Sequence, residues 1–169
     1  MIMSISRFFD VSIKDDVMWR RWCKLIFLIS GFSVLPKIIV VVIFETFPSN
    51  NNEGVDVNFF NFMNVFFALI VSPLTETLYH QSIFSWMDEK YKNKYRGVFL
   101  WISVLFFTVS HWGQSFESLC WIFWVGLIFQ YSYFELVDRR IDAYWIISIS
   151  HSFVNFSTFV FAFYFLHKN

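Results

Sequence analysis

The sequence predicts an all-α fold, a polytopic transmembrane bundle of about five spans with its N-terminus in the cytoplasm. Three observations lead there. Apolar runs of about twenty residues recur along the chain, the length that a bilayer-crossing helix needs. Only 15% of the 169 residues are charged, where soluble domains carry nearer a quarter. Among the connections between the apolar runs, Lys and Arg occur only in alternate ones.

Residues 1–21 mix apolar side chains (Ile2, Phe8, Phe9, Val11) with charged ones (Arg7, Asp10, Lys14, Asp15), which suits a cytoplasmic or interfacial N-terminal segment. A cleaved signal peptide is not expected, because the first long apolar run comes late and carries no small-residue cleavage site. Residues 22–169 read as one transmembrane domain. The first span covers about Trp22 to Phe47, with a kink expected at Pro36, and Lys37 lies inside it. Such a lysine snorkels, faces a wet cavity or pairs with an acid. The polar cluster Pro48–Gly54 is a loop.

The second span covers about Phe59 to Trp86 and the third about Val98 to His111. A charged loop with Lys90, Lys92, Lys94 and Arg96 separates them. The fourth covers about Phe116 to Phe134. After a loop containing Arg139 and Arg140, the fifth covers about Ala143 to Leu166. Lys and Arg thus fall before span one, between two and three, and between four and five, and are missing from 48–58 and 112–115. The positive-inside rule then sets the orientation of a multi-pass plasma-membrane protein. Net charge is zero, so no basic face points to nucleic acid. Cys23 and Cys120 lie far apart in apolar surroundings, which predicts two buried free thiols and no disulfide.

Against this apolar background the ionisable residues inside spans stand out: Lys37, Glu76, His80, His111 and His151. A carboxylate at the centre of a membrane helix costs about 2.5–3.5 kcal/mol on an insertion scale, so Glu76 is a functional candidate by default. At about 1.5 Å of rise per residue, Glu76, His111 and His151 sit about 15, 21 and 14 Å from the cytoplasmic side. They can meet between spans two, three and five. His151 and Asn155, four residues apart, share one helix face, as do Glu76 and His80. Any one of these alone is more often interhelical glue or a packing residue than a catalyst, and His80 is read that way.

Together they suggest water activation. Desolvation and a neighbouring imidazole act in opposite directions on a buried carboxylate, which poises Glu76 to take a proton from a water held between it and His111. That water would attack a peptide carbonyl, while His151 and Asn155 would donate hydrogen bonds to the developing oxyanion. Zinc held by Glu76, His111 and His151 is an open alternative, less favoured than a site with no metal and no cofactor.

The order of these residues resembles the CAAX-protease and bacteriocin-processing (CPBP, or Abi) intramembrane endopeptidases. That family carries Glu-Glu-x-x-x-Arg after a proline, then Phe-x-x-x-His, then His-x-x-x-Asn. Here the three read Glu76-Thr77-Leu78-Tyr79-His80-Gln81 after Pro73, Phe107-Thr108-Val109-Ser110-His111, and His151-Ser152-Phe153-Val154-Asn155. Gly126 resembles the glycine usual in the intervening helix. The resemblance covers about Phe59 to Asn155. It implies a glutamate-type protease in which Glu76 and His111 activate water and His151 and Asn155 form the oxyanion site.

The implied partners are the bilayer and a membrane-associated or lipid-modified peptide, expected to be a bacteriocin, pheromone or sorted-protein precursor rather than a prenylated CAAX protein. Thr77 and Gln81 replace the second Glu and the Arg, which predicts a neutral hydrogen-bonded pair in place of a charged one. Two rival readings keep the same residues. One is a non-catalytic membrane scaffold or bacteriocin-immunity protein; the other is a proton or small-solute carrier.

Overall fold

A computed structural model describes residues 18–46 and 62–168. Most of the expected N-terminal segment, the 48–54 loop and the first residues of span two lie outside the described residues. Those described form five helices and no strand: α1 (Met18–Thr46), α2 (Phe62–Lys90), α3 (Arg96–Val109), α4 (Phe116–Asp138) and α5 (Ala143–Lys168). Among them, α2 and α4 are long and apolar enough to cross a membrane. Half of the most apolar stretch of α4 is buried, against 11% of that of α2, so α4 is the central helix and α2 a peripheral one.

The core is built from one stripe each of α1, α3 and α5 packed on α4. Leu25 and Ile29 of α1, Phe107 of α3 and Ile146, Ile147 and Val154 of α5 surround Val125, Phe129 and Leu136. The outward faces are equally apolar, with Phe27, Phe62, Leu105, Phe106, Phe153 and Phe163 exposed. This overturns the reading of the cysteines. Cys23 and Cys120 are both free, but both are exposed. Where the outer face of a bundle is itself apolar, an apolar sequence neighbourhood does not predict burial.

Two prolines shape the helices, neither by ending one. α1 continues through Pro36. A proline has no N–H, so it leaves the carbonyl four residues earlier without its helical partner. That carbonyl, Phe32 O, accepts from Trp124 Nε1 at 3.0 Å, and the next, Ser33 O, accepts from Trp121 Nε1 at 3.2 Å. Pro73 acts in the same way on α2, which passes through π-helical turns at Phe67–Val71 and Thr77–Ser82. The carbonyls displaced around Pro73 are taken by α5: Ser152 Oγ donates to Leu69 O and Asn155 Nδ2 to Ala68 O, each at 2.7 Å. Tyr144 Oη donates to Leu74 O at 3.2 Å. This backbone-to-side-chain seam fixes the face that α2 turns toward α5.

At the end of the bundle that carries the 91–95 turn, Arg96 ties three helices. Its Nε donates to Asp88 at 2.9 Å, and its two terminal nitrogens grip Asp138 at 2.5 and 2.8 Å. Asp88 is fully buried. At the opposite end, α3 stops at Val109, two residues earlier than its expected end. His111 therefore sits in the turn beyond the helix and not on a span. Gly113 takes φ +103°, a left-handed conformation that glycine adopts without strain, and the chain turns there into α4.

Candidate active site

Glu76 ends the helical stretch that begins with Ser72 and Pro73, so its side chain faces the seam with α5. Ser72, one turn earlier on the same face, donates from Oγ to Glu76 Oε1. The other oxygen, Oε2, lies 3.7 Å from His111 Nε2 and 3.6 Å from His151 Nε2. The three residues expected to meet are together, drawn from α2, the turn after α3, and α5. Both separations exceed a direct hydrogen bond, and Oε2 has no other hydrogen-bond partner among the described residues.

The other ring nitrogen of His111 defines its tautomer. Nδ1 lies 2.9 Å from Phe107 O and 3.2 Å from Ser110 Oγ. Only a donor satisfies a carbonyl, so Nδ1 carries the hydrogen and the Nε2 of a neutral ring presents a lone pair. His111 Nε2 and Glu76 Oε2 are then two acceptors facing each other. Neither can donate to the other, so the pair is open to a hydrogen-bond donor from outside. His151 is buried at 4% exposure. Its Nδ1 has no partner, which leaves Nε2 on the side facing Glu76.

Phe107 positions the imidazoles. Its ring centroid lies 5.4 Å from that of His80, 5.0 Å from His111 and 5.9 Å from His151. Phe129 backs His151 at 5.0 Å. Gly126 makes room, since a Cβ there would fall 2.8 Å from Phe107 Cδ1. His80 packs against Phe106 and Phe107 as expected of a packing histidine. His111, His151 and Asn155 line a cavity of about 200 Å³, walled also by Phe107, Val125 and Val154. α4 contributes to its wall, beyond the three spans expected to enclose it.

Asn155 is in place but already engaged. One of its two amide hydrogens goes to Ala68 O, and one remains. Thr77 and Gln81 depart from expectation: both are fully buried, yet Thr77 Oγ1 and both polar atoms of Gln81 lack hydrogen-bond partners among the described residues. They do not pair with each other.

Ser72 and Ser152 were missed by sequence reasoning. Each lies on a functional face at helical spacing, Ser72 four residues before Glu76, and that spacing was the available signal. Among the described residues no group of three His, Cys, Asp or Glu side chains converges closely enough to hold a metal ion.

These features define a class: an apolar helical bundle with a carboxylate and two imidazoles converging beside an internal cavity. A family model described as type II CAAX prenyl endopeptidase, Rce1-like, matches residues 58–157, more than half of the chain and all four candidate residues. The chain belongs to that family of membrane-embedded CAAX proteases. Searches of curated proteins and of solved structures found no match.

Proposed function

We propose that the protein is a glutamate-type intramembrane endopeptidase, a hydrolase of membrane-associated peptides. The observation that carries this reading is Glu76 Oε2 standing within 3.7 Å of both imidazoles, with the His111 tautomer turned to receive a hydrogen. A water between Glu76 and His111 attacks the peptide carbonyl from the cavity side. Its proton passes to Glu76, its oxygen bonds the carbonyl carbon, and the oxyanion accepts hydrogen bonds from His151 Nε2–H and the spare Asn155 hydrogen. Collapse breaks the C–N bond as Glu76 returns the proton to the leaving nitrogen. No metal takes part. The family match favours a prenylated substrate over the other lipid-modified or secreted precursors.

In this reading the chain crosses the plasma membrane about five times, with residues 1–21 cytoplasmic and 22–169 forming the membrane domain. α3 is the shortest span. At 14 residues it rises about 21 Å, and the 110–115 turn carries the chain the remaining way. One observation favours a non-catalytic scaffold instead: Thr77 and Gln81 sit buried and unpaired where the CPBP pattern has charged residues. Cleavage of a prenylated tetrapeptide by protein reconstituted in liposomes separates the two. Turnover by wild type that vanishes in Glu76→Gln and His111→Ala supports hydrolysis, and equal product from all three sinks it.

A further inference from the structure

Lys37 is unused by the chemistry above, and it lies in α1, outside the family match. Its ammonium donates to Thr158 Oγ1 at 3.0 Å and lies 4.4 Å from the centre of the Trp121 ring. Trp121 is itself held by its bond to Ser33 O. Among the described residues Lys37 makes no ion pair; Glu117 lines the same cavity, at its exposed rim, but beyond salt-bridge reach. One hydroxyl and two aromatic rings, Trp121 and the more distant Phe161 at 5.9 Å, satisfy an ammonium only in part, since it has three hydrogens to give. A cation kept inside an apolar bundle without a counter-charge calls for an anion from elsewhere.

The position of this cation indicates where that anion comes from. The cavity containing Lys37, of about 270 Å³, shares Trp121, Ile122 and Thr158 with the cavity lined by His111, His151 and Asn155. The two cavities adjoin across these three side chains. Thr158 is three residues beyond Asn155, about 4.5 Å along α5, and the ammonium is one hydrogen bond farther. An extended peptide advances about 3.3 Å per residue. A group held at Lys37 is therefore about two or three residues from a carbonyl held at Asn155.

We propose that Lys37 is a specificity residue that binds a carboxylate of the substrate peptide a short extended stretch from the scissile bond. This rests on the endopeptidase reading for what enters the cavity, but its test does not need turnover. Glu76→Gln protein in non-ionic detergent is titrated with an S-prenylated tetrapeptide ending in a free carboxylate, and with the same peptide as its carboxamide. The acid binds about tenfold more tightly, as expected for a hydrogen-bonded charge pair. Adding Lys37→Gln removes the difference and Lys37→Arg keeps it.

A carboxamide peptide with Glu at its second or third position regains affinity if the bound group is a side chain, and does not if it is the chain terminus; either result supports the proposal. Equal binding of acid and amide, no binding of the acid, or a preference that survives Lys37→Gln overturns it. So does loss of the preference when phosphatidylglycerol is added, which would assign the site to a lipid headgroup. An acid preference without any hydrolysis by wild type would refute the endopeptidase reading and leave this one standing.

Discussion

Gly126→Ala is the substitution whose effect the structure defines most closely. The added Cβ would lie 2.8 Å from Phe107 Cδ1 and 3.5 Å from Cγ and Cε1. Carbon contacts relax at about 3.5–4.0 Å, so the ring must withdraw by about 0.7–1.2 Å. It has little freedom to do so. Phe107 is 2% exposed, its ring packs on three imidazoles, and its carbonyl holds Nδ1 of His111. Overpacking of this kind costs about 1–3 kcal/mol, and the better helix propensity of Ala returns about 1 kcal/mol, so the net loss is about 0–2 kcal/mol.

The effect on turnover is larger, because a displacement of about 1 Å at a catalytic group costs about 100-fold. Peptide cleavage in liposomes and thermal unfolding in detergent measure the two effects side by side. A large fall in kcat with a small fall in Tm is expected. Gly126→Ala combined with Phe107→Leu recovers stability, since the smaller side chain relieves the contact, but not rate. Unchanged kcat in the single variant would refute the idea that Phe107 sets the imidazole positions.

Further predictions concern the other contacts. Glu76→Gln abolishes hydrolysis while leaving Tm within a few degrees, and a chelator leaves wild-type turnover unchanged; inhibition by the chelator that added zinc reverses would restore the metal alternative. Asn155→Ala strands Ala68 O and removes an oxyanion donor, so it lowers both Tm and kcat, by about 1–3 kcal/mol for the stranded carbonyl. Ser152→Ala strands Leu69 O alone and lowers Tm with kcat nearly kept, and an equal kcat loss in both variants would deny Asn155 a separate role. Arg96→Gln leaves the buried Asp88 without its cation and destabilises far more than Asp138→Asn at the exposed end of the same clamp, by about 3–5 kcal/mol against about 0–1, read by chemical denaturation.

The helices and the meeting of Glu76 with His111 and His151 were legible in the sequence because both follow from spacing. Apolar runs mark helices, and polar residues at matching depth have few other places to go. Three features were not legible. α3 ends with its apolar run at Val109, and the turn that includes Gly113 takes His111 off the helix, a local backbone conformation that the length of the span did not reveal. The exposure of Cys23 and Cys120 reverses the usual rule, because the surface of this bundle is as apolar as its core. The π-helical stretches of α2 meet side chains far away in sequence, α5 donors at Ala68 O and Leu69 O and Ser103 of α3 at His80 O, so the isolation of Thr77 from Gln81 could not be read from their own neighbourhood.

Those π-helical stretches also bear on how the chain can change over time. Pro73 and the α5 donors Ser152 and Asn155 form a lock whose two halves are useless apart. With an ordinary residue at 73, a new backbone N–H would compete for Leu69 O and leave the Ser152 hydroxyl idle. With Ala at 152 or 155, the proline would leave a bare carbonyl inside the bundle. Drift at either half therefore meets selection from the other, and relatives that lose the proline should lose the donors with it. Asn155 carries the extra burden of sitting at the cavity wall, so the same amide anchors the architecture and shapes the cavity, and neither duty can be relaxed alone.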